Sequence, residues 1–438
     1  VKILVVSLFH PELVRGGAQQ IAYELFLGLK QLPDTQPVLL ASTDHSLPDL
    51  YKTGACITGF DGRPDEYLFL TGAFDSWWHK LADPRLVEAF ADFLRLIRPD
   101  VVHFHHFMTF GVELLTLTRR VLPDCRIVFT FHEFLAICTA DGHMVRRTDH
   151  SLCDHASPVR CHQCFPEVSP EQFFLRTHYM QAHLRAVDVF TTPSRFMRAF
   201  FVRWGLPAEK IVHVPNGQQR LNPGGSPSPP PGQKNRFGFF GQMVDAKGIW
   251  LLLEAIEHLR AEGFSEFAVE INGDNLRYAS DRRRAEIERF IAAEQQRPFA
   301  ERRVVFNGSY HPDRLARRMA RIDWCVVPSV WWESFGMVIS EAWMFGKPVI
   351  AADVGGPAER ITPEADGLLF ALGDSRALAR AIRRAATEDG LWDRLSAGIT
   401  PPMSRAEMVR RYCEIYANRR KPDPCRDRLV KSGHDVNV

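Results

Sequence analysis

The run WWESFGMVISEAW, residues 331–343, carries two carboxylates eight positions apart, Glu333 and Glu341. The preceding CVVPS reads as a strand ending in a turn, and Ser334 stands where the N-cap of a helix beginning near Phe335 is expected. Glu333 then lies in a loop at a strand's carboxyl end, the edge at which open α/β sheets bind ligands. The N–H groups of Gly336, Met337 and Val338 are first-turn donors without helical partners, and with the helix dipole they suit a phosphate. Glu341 follows Met337 by four residues and projects from the same face one turn deeper. A carboxylate there repels phosphate but accepts hydrogen bonds from vicinal hydroxyls such as those of ribose. The two acids would bracket a ligand built as sugar, diphosphate and ribose. Taken alone, such a pair reads more simply as a solvated loop acid and an exposed helix acid.

A second constellation is FFGQMVDAKG, residues 239–248. Gly241 lets backbone approach a ligand, and Lys247 puts a cation near the start of the next helix, where a diphosphate would sit. Cys138, Cys153, Cys161 and Cys164 form a C-x14-C-x7-C-x2-C pattern, while the other five cysteines are scattered. Four thiolates at this spacing can hold a structural zinc ion with no open position for water. Reduced thiols or disulfides are the alternatives. Trp77 and Trp78 could stack on a sugar, though core packing is the more common fate of such a pair.

These residues need a scaffold, and the chain predicts one. With 438 residues it is long enough for two domains. Its 45% hydrophobic and 24% charged content is that of a soluble globular protein, and a net charge of +2 argues against a generic nucleic-acid binder. Short apolar runs at 2–8, 36–42, 100–106, 126–132 and 188–194 read as parallel strands covered on both faces. Helical patterns fall between them at 16–32, 84–97 and 170–187. The rhythm stops at the Pro/Gly/Ser-rich stretch 222–235 and then restarts, with strands at 236–242, 267–273, 302–308, 323–329 and 348–354 and helices at 247–262 and 336–346. The Arg- and Glu-rich segment 281–303 reads as a solvated helix. The expected architecture is α/β: two Rossmann-like, doubly wound parallel-sheet domains facing across a cleft. Residues 1–215 would form the first, with a cysteine-rich insertion at 138–164. A linker at 216–235 leads to the second at 236–400, and 401–438 supply a helix crossing back to the first domain, then a tail. No apolar run approaches the length that spans a bilayer, and the N-terminal run lacks a small-residue cleavage site, so a cytoplasmic enzyme is expected.

Taken together, VVPSVWWESFGMVISEAWMFGKPVIAADVGGPAERI, GGAQQIAYEL, VHFHH, TFHEF, VPNG and FFGQMVDAKGIWLLLEAI resemble the motifs of the retaining glycosyltransferases of GT-B fold, family 4. The resemblance covers both halves of the chain. It implies that Glu333 contacts a donor sugar, that Glu341 binds the nucleotide ribose, and that Gly241, Gln242 and Lys247 cradle the diphosphate. Family members often have Arg where Gln242 stands, so Lys247, or another base such as Arg15, would carry more of the phosphate charge here. Gly16 and Gly17 would face the diphosphate and acceptor side of the cleft, and His132 the donor sugar near its reacting carbon. On a strand His103 and His105 face one side and His106 the other, and of the three His105 is the candidate for lining the acceptor site. Gly273, Asp274 and Tyr310 would frame the nucleobase.

The resemblance further implies a UDP- or GDP-sugar donor and a glycan or lipid-linked oligosaccharide acceptor at the inner face of the membrane. The chain contains no D-x-D triplet, so a metal-bridged diphosphate is not expected. Two rivals share parts of this pattern: a sugar-nucleotide 2-epimerase of the same fold, and a non-enzymatic, zinc-stabilised glycan-binding protein.

Overall fold

A computed structural model describes residues 1–43, 54–72, 74–220 and 234–417. Most of the Pro/Gly/Ser-rich stretch and the tail beyond 417 lie outside the described residues. Among the described residues sixteen strands run in chain order. The first ten are β1 Lys2–Ser7, β2 Gln36–Thr43, β3 Ile57–Phe60, β4 Arg63–Leu70, β5 Phe74–Asp75, β6 Lys80–Leu81, β7 Val101–Phe104, β8 Arg126–Thr130, β9 Val189–Thr192 and β10 Ile211–His213. The last six are β11 Arg236–Phe240, β12 Ala268–Asn272, β13 Val304–Phe306, β14 Trp324–Val327, β15 Val349–Ala352 and β16 Gly367–Phe370.

They form two large sheets and a small β5–β6 ribbon. The first sheet has the order β10-β9-β8-β7-β1-β2-β4-β3, and the second β13-β12-β11-β14-β15-β16. All pairs in the two sheets are parallel except β3 with β4. The chain steps outward from β1 through β2, then returns to place β7 on the other side of β1. It repeats the manoeuvre in the second sheet, stepping from β11 to β12 and β13 before placing β14 beside β11. Each reversal leaves a crevice at the carboxyl ends of the two central strands, where helix ends diverge and a ligand can enter.

The central strands are buried almost throughout: β7 and β14 at every residue, β1 at all but its first. That explains why they read as continuous apolar runs rather than alternating ones. Most expected strands are shorter than their apolar runs at the carboxyl end. β8 stops at Thr130 and β7 at Phe104, so His132, His105 and His106 belong to the turns that follow. The segment 281–303 is a helix only over Asp281–Gln296, largely exposed, followed by a short 3-10 turn. The hairpin β3–β4 was not expected, and β4 extends the parallel sheet beside β2.

After the second sheet, the helix Arg405–Ala417 packs on the first. Its Met408, Val409, Tyr412 and Tyr416 share a buried cluster with Ile3, Val5, Ile21 and Leu25. Tyr416 Oη lies 2.7 Å from His103 Nδ1, and Tyr412 Oη lies 3.1 Å from Thr130 Oγ1 and 3.2 Å from Thr191 Oγ1. Arg405 Nε donates to Glu24 at 2.6 Å, with both side chains largely buried.

Candidate active site

The loop after β14 carries Glu333, which is 7% exposed. Its Oε2 receives Lys247 Nζ at 2.6 Å, the Trp331 indole N–H at 3.2 Å and the Ser329 hydroxyl at 3.3 Å. Lys247 closes a 3-10 turn, Asp245–Lys247, that follows β11. Val330 N donates to Ala246 O at 2.9 Å and ties the two loops together. The carboxylate and the cation expected on a donor sugar and its diphosphate therefore stand in direct contact across the second sheet's switch point. Each loop brings its charge to the other, so neither is left uncompensated where water is scarce.

Ser334 is not the helix cap. The helix spans Met337–Met344, and its N-cap is Gly336 at φ 77°, with no side-chain cap. The turn is held by other means: half-buried Arg360 donates to Phe335 O at 3.1 Å, Gly336 O at 2.8 Å and Ser340 Oγ at 2.7 Å, while Ser334 O accepts from Ser194 Oγ at 2.7 Å. With those carbonyls pinned, the chain enters the helix through a left-handed residue, which favours glycine. Met337 and Val338 are partly exposed, at the first turn of that helix. Phe335 is buried against the Arg360 guanidinium, 3.8 Å from its ring centroid.

Glu341 lies one turn deeper and is mostly buried. Burial pushes its carboxyl pKa up, and a hydrogen bond from Gln218 opposes the shift. Tyr310 sits beside it, edge-on to Phe240 at 5.9 Å. The Tyr310 carbonyl accepts from Arg15 Nη1 at 3.2 Å, so Arg15 spans the cleft. At the ends of β11 and β12 the backbones nearly touch: a Cβ on Gly273 would stand 1.9 Å from Gly241 O. Only glycine permits that approach. Gln242 and Asp274 are exposed beside it.

From the first sheet, Gly16 caps the helix Gly17–Leu29. A Cβ on Gly17 would lie 3.8 Å from Met337 Cγ, so this turn faces the first turn of the Glu341 helix. His132 Nε2 is 3.0 Å from His105 Nδ1, the rings stacked at 5.3 Å. Burial holds His103, His105 and His132 well below the ordinary histidine pKa, so all three are neutral near pH 7. His105 is 1% exposed and lies beneath His132, while His103 is tied to Tyr416 and Thr130. A neutral His132 can donate or accept one hydrogen bond at the cleft without adding charge.

Sequence reasoning passed over Glu133, whose carboxyl is pushed up to about 8 by burial and whose Oε1 lies 3.5 Å from His106 Nε2. It also missed Trp331, Gln218 and Arg360. For Trp331 a signal existed, since it stands two residues before Glu333. Trp77 and Trp78 pack edge-on against Phe173 and Tyr179 of the helix Pro170–Leu184, at 5.2 and 5.1 Å.

The candidate zinc set is not formed among the described residues. Cys138, Cys153, Cys161 and Cys164 are free thiols that line one small pocket of about 30 Å³. Burial raises the Cys138 thiol and pushes Cys161 up to about 11, which keeps both protonated. Among the described residues, no three His, Cys, Asp or Glu side chains are arranged to hold a metal ion.

Residues 16–217 match the glycosyl transferase 4-like domain and residues 234–388 the glycosyl transferases group 1 family. The two halves of the chain thus match, in order, two glycosyltransferase family models. The chain is 28% identical over 279 residues to a D-inositol 3-phosphate glycosyltransferase of Nocardia farcinica, covering 62% of this chain and 55% of that protein. The chain spans from about a fifth to about half the length of such curated relatives. Its fold is that of sucrose-phosphate synthase from Thermosynechococcus elongatus (TM-score 0.68, 18% identity, 98% of this chain and 100% of that one). It is also that of Anabaena HepE in complex with UDP and glucose (TM-score 0.63, 17% identity, 95% and 99%). The two facing sheets are therefore a GT-B fold.

Proposed function

We propose that the chain transfers a sugar from a nucleotide-sugar donor to an acceptor hydroxyl, with retention at the anomeric carbon. The observation that carries this reading is the Lys247–Glu333 pair at the second sheet's switch point, with Glu341 on the adjoining helix. In the donor complex Lys247 and the N–H groups of Met337 and Val338 hold the diphosphate, Glu333 accepts from sugar hydroxyls, and Glu341 accepts from the ribose. The acceptor oxygen attacks from the face that the diphosphate leaves. The bond from the anomeric carbon to the phosphate oxygen breaks, the new glycosidic bond forms, and a phosphate oxygen takes the acceptor's proton. Lys247 stabilises the charge that develops on the leaving group. His132 offers its neutral ring to the sugar.

The HepE structure, with UDP and glucose, supports a UDP-sugar, and GDP is the other candidate. A glycan or lipid-linked oligosaccharide is the proposed acceptor, reached at the inner face of the cytoplasmic membrane by peripheral contact. Among the described residues no helix is long and apolar enough to cross a membrane. A thermal-shift screen of UDP, GDP, ADP and their sugars tests the reading, because a ligand that binds only the native state raises the melting temperature by mass action. One nucleotide family should raise it. No shift with any of them at millimolar concentration would overturn the proposal.

A further inference from the structure

The cysteine-rich segment 138–164 belongs to the first sheet by sequence, yet it grips the loop of the second sheet that carries Glu333. His143 packs edge-on against Trp331, ring centroids 5.0 Å apart. Cys153 O accepts from the Trp332 indole N–H at 2.9 Å. Leu152 packs against the apolar cluster of the second domain, as do Val330 and Trp332. The segment is itself braced, with Cys153 N donating to Met144 O at 2.7 Å and Val145 bridging Leu152. The four thiols line the pocket behind this brace.

Both tryptophans lead to the site. The Trp331 N–H donates to Glu333 Oε2, and Lys247 Nζ stands 5.1 Å from the centre of the same ring. Trp332 packs on Phe196 at 5.0 Å and Phe200 at 5.6 Å, so it is wedged between the insertion and a first-domain helix. A carboxylate that must meet sugar hydroxyls gains from being held before the ligand arrives, since a loose acid has to be ordered at each turnover.

We propose that segment 138–164 is a clasp that positions Glu333, with Trp331 and Trp332 as the positioning residues through which it acts. The inference rests on the donor-sugar role proposed for Glu333.

The test uses the full chain with Trp331→Phe and Trp332→Phe, which keep a ring but lose the N–H, and a His143→Ala/Leu152→Ala double variant on the clasp itself. UDP affinity and water-dependent release of glucose from UDP-glucose are measured, or the GDP pair where the screen selects it. Sugar release should fall about tenfold or more while bare-nucleotide affinity stays within about twofold, the signature of an interaction made with the sugar. Release within about twofold of the parent in all three variants would overturn the clasp, as would an equal loss of bare-nucleotide affinity. A second readout needs no ligand: amide exchange of residues 329–334 should quicken in the double variant, and unchanged exchange also overturns the proposal. A parent chain that binds no nucleotide counts against the proposed function, and the exchange measurement still decides the clasp.

Discussion

Glu333 and Glu341 share a crevice but differ in surroundings. Glu333 has a cation at 2.6 Å. At Glu341 burial raises the carboxyl pKa, and a hydrogen bond from Gln218 offsets part of the rise. In its proposed role Glu341 accepts hydrogen bonds from ribose, and only the ionised carboxylate has its full accepting capacity. Nucleotide affinity should therefore be complete at high pH and begin to fall, as pH is lowered, above the range of an ordinary glutamate. Glu341→Gln should bind more weakly by about 1–3 kcal/mol at high pH and lose that pH dependence, both read by calorimetry. An affinity for the nucleoside diphosphate equal to the parent's would refute the ribose assignment. The two acids and Lys247 were singled out in the sequence, the acids on one strand, turn and helix and Lys247 on another turn, and the motif resemblance supplied their expected roles. Gln218 and Glu133 were not. Gln218 reaches Glu341 only because the chain crosses between sheets, and Glu133 is distinguished by burial, which no residue type announces.

At the scale of elements, the strands were legible because buried parallel strands are nearly unbroken apolar runs, while their ends were not. An apolar run continues through Phe131 into the turn that presents His132, so composition alone overruns the ladder. The β3–β4 hairpin was missed for the opposite reason. The start of β4, RPDE, has a proline and three charges, and it pairs at the sheet's margin, where continuous apolar character is not required. Ser334 was misread because the turn's carbonyls are taken by Ser194 and Arg360, partners distant in sequence. Lys247 is the element-scale test, since a turn after β11 carries it and the proposed mechanism sets it against the charge that builds on the leaving diphosphate. Losing a preorganised group of this kind costs about 3–4 kcal/mol, or about 100- to 1000-fold in turnover. Lys247→Ala should show that loss in kcat, with circular dichroism confirming that the variant is folded. Turnover within a few-fold of the parent in a folded variant would move the diphosphate elsewhere.

At the scale of the molecule, the two sheets are coupled by groups that the chain order would keep apart. Glu359 accepts from Arg195 N at 2.9 Å and Phe196 N at 2.6 Å, so an acid of the second unit satisfies the first-turn donors of a helix in the first. The last described helix goes further and completes the first sheet's core. Tyr412 is 1% exposed, and its hydroxyl meets threonines of β8 and β9. Replacing a buried aromatic by alanine costs about 3–5 kcal/mol, through lost burial and the cavity left behind. Tyr412→Ala should therefore lower the melting temperature, and amide exchange should locate the damage in β1, β8 and β9, although the mutated residue follows the second sheet in sequence. Strands β11, β14 and β15 should keep their protection, because their cores of Phe237, Trp324, Val326 and Ile350 do not include this helix. Nucleotide affinity should persist for the same reason, since Lys247, Glu333 and Glu341 all hang from that sheet. Exchange that quickened in β11–β15 and spared β1 would show that the helix belongs energetically to the second unit.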